Sequence, residues 1–247
     1  MDKDPSVADR SSGDEQFRVG EMFGRIAPTY DLLNHVLSFG RDFAWRRKVA
    51  GRIGHNKGLR VADLATGTGD LLIALLRRHP DLLGAVGLDI SEPMLSAFRE
   101  KLRRVGFLDR VTLHYADAAA TPFADGAFDV VTMGFGIRNT SDVGATLREI
   151  HRILKPGGAT LILEFSLPRN PALRWCHLQY LRYGVPLIGA VISGDRQAYR
   201  YLNESIEAFY PPSEFCGLMR QAGFIQVLAT PVTWGVASIY RGQKPCE

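Results

Sequence analysis

The stretch VADLATGTGDLLIALL, Val61–Leu76, sets a strand-like run (59–65) against an apolar helix-like run (69–80), with Thr66, Gly67, Thr68 and Gly69 between them. Glycine admits positive φ and places no Cβ between the backbone and a ligand. The helix behind the turn offers unpaired N–H groups at its start. Strand, cleared turn and helix in that order read as the opening unit of an α/β sheet that holds a small molecule at the turn. Pro80 is expected to end the helix.

The alternation continues outward from there. GAVGLDI (84–90), RVTLHYAD (110–117), AFDVVTMGF (127–135) and ATLILEF (159–165) read as strands. SEPMLSAFREKLRRVG (91–106) reads as a helix with Ser91 as N-cap, Pro93 in the first turn and Gly106 as the stop. SDVGATLREIHRILKPGG (141–158) reads as another, closed by Lys155, Pro156 and the Gly157–Gly158 pair. Such a rhythm predicts an α/β, Rossmann-like fold with a mostly parallel sheet and helices on both faces. Ligands of such sheets collect beyond the carboxyl ends of the strands. After Phe165 the pattern becomes helical over 171–209, with aromatics and arginines interleaved, and a further helix spans 211–223. FIQVLATPVTWGVASIYRGQK (224–244) supplies two more strands, a hairpin closing a seven-stranded sheet. The expected divisions are a disordered lead-in (1–16), then one domain. It comprises a helical lid (17–58), a cofactor-binding core (59–170), a helical substrate cap (171–210), and a last helix with the hairpin (211–247).

Composition excludes several classes. The chain has 247 residues, 46% of them hydrophobic and 23% charged, which describes an ordinary globular protein with room for one large core. The net charge of +4 is spread out, and the basic clusters RDFAWRRK and KLRR are too small to read as a nucleic-acid surface. Cys176, Cys216 and Cys246 lie far apart without CxxC spacing, which fits a reducing compartment and gives neither a zinc site nor a disulfide framework. The opening MDKDPSVADRSSGDEQ is polar and lacks a signal-segment pattern. LRYGVPLIGAVISG (181–194) is too short for a membrane span. A cytoplasmic protein is expected. No histidine shows metal-ligand spacing, and no metal is expected.

The turn itself constrains the ligand. Asp70 follows Gly69 where the charge of a pyrophosphate would lie, and Leu72 stands at the third glycine position of a dinucleotide fingerprint. An acid there is a poor neighbour for phosphate and a good one for a cation. Asp63 lies in the first strand, Asp89 ends the second, where an acid commonly binds a ribose diol, and Asp117 ends the third, placed to accept from an exocyclic amine. Singly, each acid is equally well explained as a cap or turn residue. Together, at consecutive strand ends, they suit a ligand with a cationic head, a ribose and an adenine. S-adenosylmethionine has those parts and no phosphate.

DLATGTGD, GLDIS, ADA and LKPGG resemble the motifs of class I S-adenosylmethionine-dependent methyltransferases. FGRIAPTYDLLNHVLSFGRDFAWRRK (23–48), GFGIRNTSD (134–142) and ISGDRQAYRYLNESIEAF (192–209) are similar to signatures of the ubiquinone/menaquinone biosynthesis C-methyltransferases, and the resemblance spans residues 17–244. It implies methyl transfer to a ring carbon of a polyprenylated quinol. The acceptor is a demethylmenaquinol in the menaquinone branch, or a 2-methoxy-6-polyprenyl-1,4-benzoquinol in the ubiquinone branch.

It also implies roles. Gly67, Thr68 and Gly69 line the cofactor pocket, Asp89 holds the ribose hydroxyls, and Asp117 with Ala118 frames the adenine. Gly134 stands where the family often has a serine, so only its backbone can contact the cofactor, and Thr66 stands where a glycine is frequent. Arg138 would stabilise a phenolate or orient a water, Asn139 would bond a quinol oxygen, and Tyr30 would cover the site. Asn34, Tyr199 and Arg200 are the candidate substrate contacts. Arg138 and Asn139 could instead cap the helix beginning near Asp142, and Tyr30 could staple the lid.

Residues 172–193 mix Trp175, Tyr180, Tyr183, Leu187 and Ile188 with Arg174 and Arg182. That composition suits an interfacial surface or a tail groove, though core packing predicts much the same. Peripheral membrane contact and a homodimer stay open, and no nucleic-acid partner is expected. Three competing readings remain: a methyltransferase for a sterol, phospholipid amine or phenol, a non-catalytic cofactor-binding scaffold, and a nicotinamide oxidoreductase.

Overall fold

Val61, Ala62, Asp63 and Leu64 are all nearly inaccessible to solvent, so this strand has no free face. Such a strand needs neighbours on both edges and helices above and below. The computed structural model describes residues 21, 24–25, 30–54, 58–192 and 196–246, with backbone alone at 190–192 and 196–199. The strands are β1 (Arg60–Leu64), β2 (Gly84–Asp89), β3 (Val111–Tyr115), β4 (Phe128–Gly134), β5 (Leu154–Phe165), β6 (Ile225–Val232) and β7 (Ala237–Gln243). They form one sheet in the order β3-β2-β1-β4-β5-β7-β6. β1 to β5 run parallel, β7 pairs antiparallel with β5, and β6 with β7. The chain runs outward from β1 to β3 and then crosses to β4 on the other side. The switch point therefore lies between the ends of β1 and β4.

The helices are α1 (residues 30–37), α2 (Arg41–Ala50), α3 (Asp70–Arg78), α4 (Glu92–Val105), α5 (Val143–Ile153), α6 (Pro171–Gln179), α7 (Val185–Ile192), α8 (Arg196–Ala208) and α9 (Pro212–Gln221). On one face of the sheet Trp45, Val49, Leu72, Leu75, Phe98 and Leu102 bring α2, α3 and α4 into a common core. On the other, Leu147, Ile150, Phe215 and Met219 pack α5 and α9 under β1, β4 and β7. A third, small cluster of Leu33, Leu181, Val185 and Ile206 joins α1 to α7 and α8 beyond the sheet ends.

The helix read over 141–158 is shorter in the structure. α5 stops at Ile153, and Lys155 to Gly158 belong to β5. Pro156 disfavours helical backbone at Lys155, and Leu154 is already extended at φ −73°, ψ 139°. The extra residues are absorbed as a bulge: Phe128 pairs with Leu154 and Val130 with Ala159. α3 likewise ends at Arg78, before Pro80. Between α6 and α7 the residues Tyr180–Gly184 form a π-helical turn just ahead of Pro186, whose ring cannot pass the carbonyl four residues earlier in a regular helix. The Tyr180 hydroxyl donates to the Leu37 carbonyl at 2.9 Å, tying this turn to α1. The lead-in at 1–16, part of the FGRIAPTYD segment and the residues 193–195 lie outside the described residues.

Candidate active site

Beyond the ends of β1, β2 and β4 lies a cavity of about 630 Å³, lined by Tyr30, Ala65, Gly67, Leu88, Asp89, Ile90, Met94, Ala116, Ala118, Gly134, Phe135, Gly136, Asn139 and Thr140. The glycine turn supplies its floor. Gly67 has φ +56°, and a Cβ there would point to open space with only Tyr30 Cε1 near, at 3.9 Å. A side chain at this position would occupy the room a ligand needs. Gly69 has a different reason to be glycine. At φ +80° its Cβ would fall 1.9 Å from the Phe98 ring, so packing against α4 excludes every larger residue.

The acids behave in three ways. Asp89 lines the cavity, and its carboxylate is fixed from behind, accepting the Gly67 N–H at 2.7 Å and the Ser91 N–H at 2.9 Å. Burial pushes its pKa up to about 6. Asp63 does not reach the cavity. Its two oxygens accept the hydroxyls of Thr66 (2.7 Å) and Thr132 (2.6 Å), which ties the end of β1 to the turn and to β4, and burial raises this carboxyl to about 6 as well. Thr66 thus turns its hydroxyl away from the cavity, and the larger residue in place of a glycine takes no ligand space. Asp117 accepts the Ala119 N–H at 2.9 Å, while its neighbours Ala116 and Ala118 line the cavity.

Thr68 and Asp70 do not line the cavity. The Thr68 hydroxyl donates to Asp31 at 2.5 Å, and Lys101 bridges Asp31 and Asp70. The cation that Asp70 attracts is thus Lys101, with Arg46 Nη2 at 3.5 Å, rather than a ligand's. Asp42, Asp70 and His35 bring three donor atoms within 4.8 Å of one another. Arg46 stands among them, hydrogen-bonded to Asp42, and His35 Nδ1 lies 2.7 Å from the same carboxylate. A guanidinium already balances that charge.

Two residues at the switch point carry left-handed backbone without being glycine: Ala65 at φ +47° and Phe135 at φ +58°. Such conformations cost about 1–3 kcal/mol and persist where surroundings over-determine them. Here they do. The Phe135 N–H donates to Leu163 O at 2.7 Å, and its carbonyl accepts from Arg138 Nη1 (2.7 Å) and Asn139 Nδ2 (3.3 Å). Gly136 is pressed against Ala65, leaving 2.6 Å for a Cβ. Gly134 lines the cavity with Leu71 3.1 Å from where its Cβ would be, so a serine would need Leu71 to shift.

Arg138 is drawn inward by Glu164. The pair is buried at 2.7 Å, with side-chain exposures of 3% and 0%. Its Nε donates to Ser205 on α8 at 3.3 Å, and its guanidinium lies 5.2 Å above the Phe165 ring. The arginine therefore braces the ends of β4, β5 and α8 rather than lining the cavity. Burial raises the Glu164 pKa even beside this cation. Asn139 does line the cavity, and its Oδ1 accepts the Tyr201 hydroxyl at 3.2 Å. Tyr30 closes the cavity from α1, hydrogen-bonded to Asn34, with its phenol raised by burial.

A second space opens on the far side of Phe135. This apolar cleft of about 1360 Å³ runs between α1, α2, α6 to α8 and the β6–β7 turn, walled by Leu37, Trp45, Phe135, Phe165, Leu181, Val185, Leu202 and Ile206. Trp45, Phe135 and Phe165 form its inner aromatic wall, with Phe135 and Phe165 centroids 4.5 Å apart. Asn34 borders it. At the mouth stand Phe39 and Trp234, both three-quarters exposed. Trp175, Tyr183 and Leu187 are exposed on the outer face of the same helices. Arg200 is exposed beside a different groove, with Arg182 and Glu207, away from the cleft. The side chain of Tyr199 lies outside the described residues. No helix among the described residues is long and apolar enough to cross a membrane.

Sequence reading missed Glu164 and the left-handed pair. Glu164 left a signal, a lone acid closing the apolar run ATLILEF, which demands a buried partner.

The model of the ubiE/COQ5 methyltransferase family matches residues 10–244. A demethylmenaquinone methyltransferase from Thermus thermophilus is 45% identical over 224 residues, covering 91% of this chain and all of the relative. A ubiquinone/menaquinone biosynthesis C-methyltransferase from Geobacter sulfurreducens is 42% identical over 227 residues, 92% of this chain and 88% of the relative. Among solved structures, a SAM-dependent methyltransferase from Thermotoga maritima superposes with a TM-score of 0.64 at 19% identity, covering 91% of this chain and 98% of that one, a likeness of fold.

Proposed function

The chain belongs to the ubiE/COQ5 methyltransferase family, and from that premise we propose that it methylates a ring carbon of a polyprenylated quinol, demethylmenaquinol being the first candidate. The cofactor is S-adenosylmethionine, which supplies the electrophilic methyl group. The observation that carries the substrate reading is the pairing of two spaces across Phe135, one edged by Asp89 and glycine backbone, the other apolar and long. A hydrocarbon tail suits the second, with the aromatic ring at its head reaching past Phe135 towards the first.

In this reading Gly67, Asp89, Ala118 and the backbone of Gly134 hold the cofactor, while Asp63, Thr68, Gly69 and Asp117 hold those residues in place. Asn139 and Tyr30 face the ring. Arg138 acts as a positioning residue, fixing Phe135 and the Asn139 loop from behind. Its guanidinium stays protonated, and a direct role on a phenolate would require it to leave Glu164. α1 and α2 form the lid and α6 to α8 the substrate cap. Orientation of the two reactants contributes on the order of 7–11 kcal/mol to such transfers. The exposed Phe39 and Trp234 at the cleft mouth, with Trp175 on the outer face beside them, would meet a lipid surface, letting the tail enter from the bilayer.

The deciding experiment supplies labelled S-adenosylmethionine with demethylmenaquinol and with the methoxy-benzoquinol, separately and under reducing conditions. Label in the naphthoquinol is expected. Label in neither, with the cofactor still bound, would move the weight to another acceptor.

A further inference from the structure

The turn that follows β4 is held from two directions. From β5, Glu164 pairs with Arg138. From α8, two side chains one helical turn apart hold the adjacent residues Arg138 and Asn139. The Ser205 hydroxyl accepts Arg138 Nε at 3.3 Å, and the Tyr201 hydroxyl donates to Asn139 Oδ1 at 3.2 Å. α8 is itself well seated, with Ile206 buried among Leu33, Leu181 and Val185. Asn139 lines the cofactor cavity, whereas Tyr201 lines neither the cavity nor the apolar cleft. What Tyr201 does at the cavity it therefore does through Asn139.

An asparagine amide has two ends of similar size and opposite polarity, and its neighbours decide which end faces which way. The Phe135 carbonyl can only accept, and it takes Asn139 Nδ2 at 3.3 Å. Tyr201 takes the other end by donating to Oδ1. Turned end over end, the amide would set Oδ1 against the Phe135 carbonyl oxygen. Held as it is, it has spent one N–H on Phe135 and keeps the second. A ring hydroxyl that loses its proton during methyl transfer becomes negative, so an N–H beside it stabilises the transition state and a carbonyl oxygen opposes it.

We propose that Tyr201 is a positioning residue for methyl transfer, its hydroxyl fixing the Asn139 amide so that an N–H, and not Oδ1, meets the quinol oxygen. The inference rests on the quinol reading above, in which Asn139 faces the ring. Without Tyr201 the amide keeps one long hydrogen bond, and its carbonyl end is free to swing.

The test uses the full chain with demethylmenaquinol and S-adenosylmethionine. Tyr201→Phe removes the hydroxyl and keeps the ring. In Y201F kcat should fall about tenfold, with the KM of each substrate changed less than about threefold. In N139A, whose slow transfer is followed with labelled methyl, adding Y201F should change kcat less than about twofold, because the route through the amide is already gone. A tyrosine that only supports the fold would act by the same factor in both backgrounds. Independently of turnover, the side-chain amide signal of nitrogen-labelled asparagine that is missing from N139A should move in Y201F. Equal cofactor affinity in all the proteins reports that they fold alike; if N139A folds poorly, N139S takes its place. Y201F with kcat within about twofold of wild type, equal factors in both backgrounds, or an Asn139 amide signal unmoved in Y201F overturns the assignment while leaving the quinol reading intact. A wild type that methylates neither quinol overturns both.

Discussion

Around the cofactor cavity, polar side chains fix backbone groups at the strand ends: Asp89 the Gly67 N–H, Arg138 the Phe135 carbonyl, Asp117 the Ala119 N–H. Around the apolar cleft, helices meet mainly through side chains, Leu33, Leu181, Val185 and Ile206 forming a core of their own. The first region is held by directional bonds with little freedom of placement. The second is held by contacts that tolerate sliding, and a hydrocarbon ligand needs no more than that.

The largest break in that comparison should come from Arg138, which belongs to both regions. Arg138→Ala leaves Glu164 buried and unpaired and should cost about 3–5 kcal/mol in denaturant unfolding; a loss under about 1 kcal/mol would mean the brace is unimportant. Next come the two turn glycines, which separate packing from binding. Gly69→Ala drives a Cβ into the Phe98 ring and should destabilise by about 3 kcal/mol or more. Gly67→Ala has space and should cost about 1–2 kcal/mol, yet lower S-adenosylmethionine affinity more than tenfold by calorimetry. Equal effects on stability would erase the distinction.

The third test uses pH. Burial pushes Asp63 and Asp89 up to about 6 in the folded chain, above the ordinary 3.8, so the native state binds more protons than the unfolded chain between those values. Stability should therefore be greatest below about pH 4 as far as these groups contribute. It should decline as pH rises through about 6, by on the order of 3 kcal/mol for each carboxylate. Asp63→Asn should remove its share of that slope in unfolding curves at pH 4 to 8; an unchanged slope would mean the carboxyl is not so raised. The smallest effect is expected in the cap. Ile206→Ala should cost about 2 kcal/mol at most, the small cluster being free to collapse. It should raise quinol KM while leaving cofactor affinity unchanged, and a matching loss of cofactor affinity would show that the regions are not separable.

The same contrast explains what the sequence disclosed. The turn at 66–69, Asp89 and the alternation of strands were legible because each is local: a left-handed turn, a strand-end acid and a helix start all fall within a few residues of one another. Asp63 and Asp70 were read as ligand contacts because their partners, Thr132, Arg46 and Lys101, arrive from distant segments. Arg138 was recognised as important, but its partner stands on another strand, 26 positions on. The cleft was least legible. Its walls come from segments spread from Asn34 to Val236, and apolar residues on a helix look alike whether they meet a ligand or another helix.

Phe135 stands between the two regions and lines both spaces. Any movement of that ring on binding of one ligand alters the space left for the other. Thermodynamic reciprocity then requires each ligand to change the other's affinity by the same factor. If the ring shifts when either ligand binds, the dissociation constants of donor and acceptor become linked quantities, and Phe135→Leu is the substitution that should change the factor linking them.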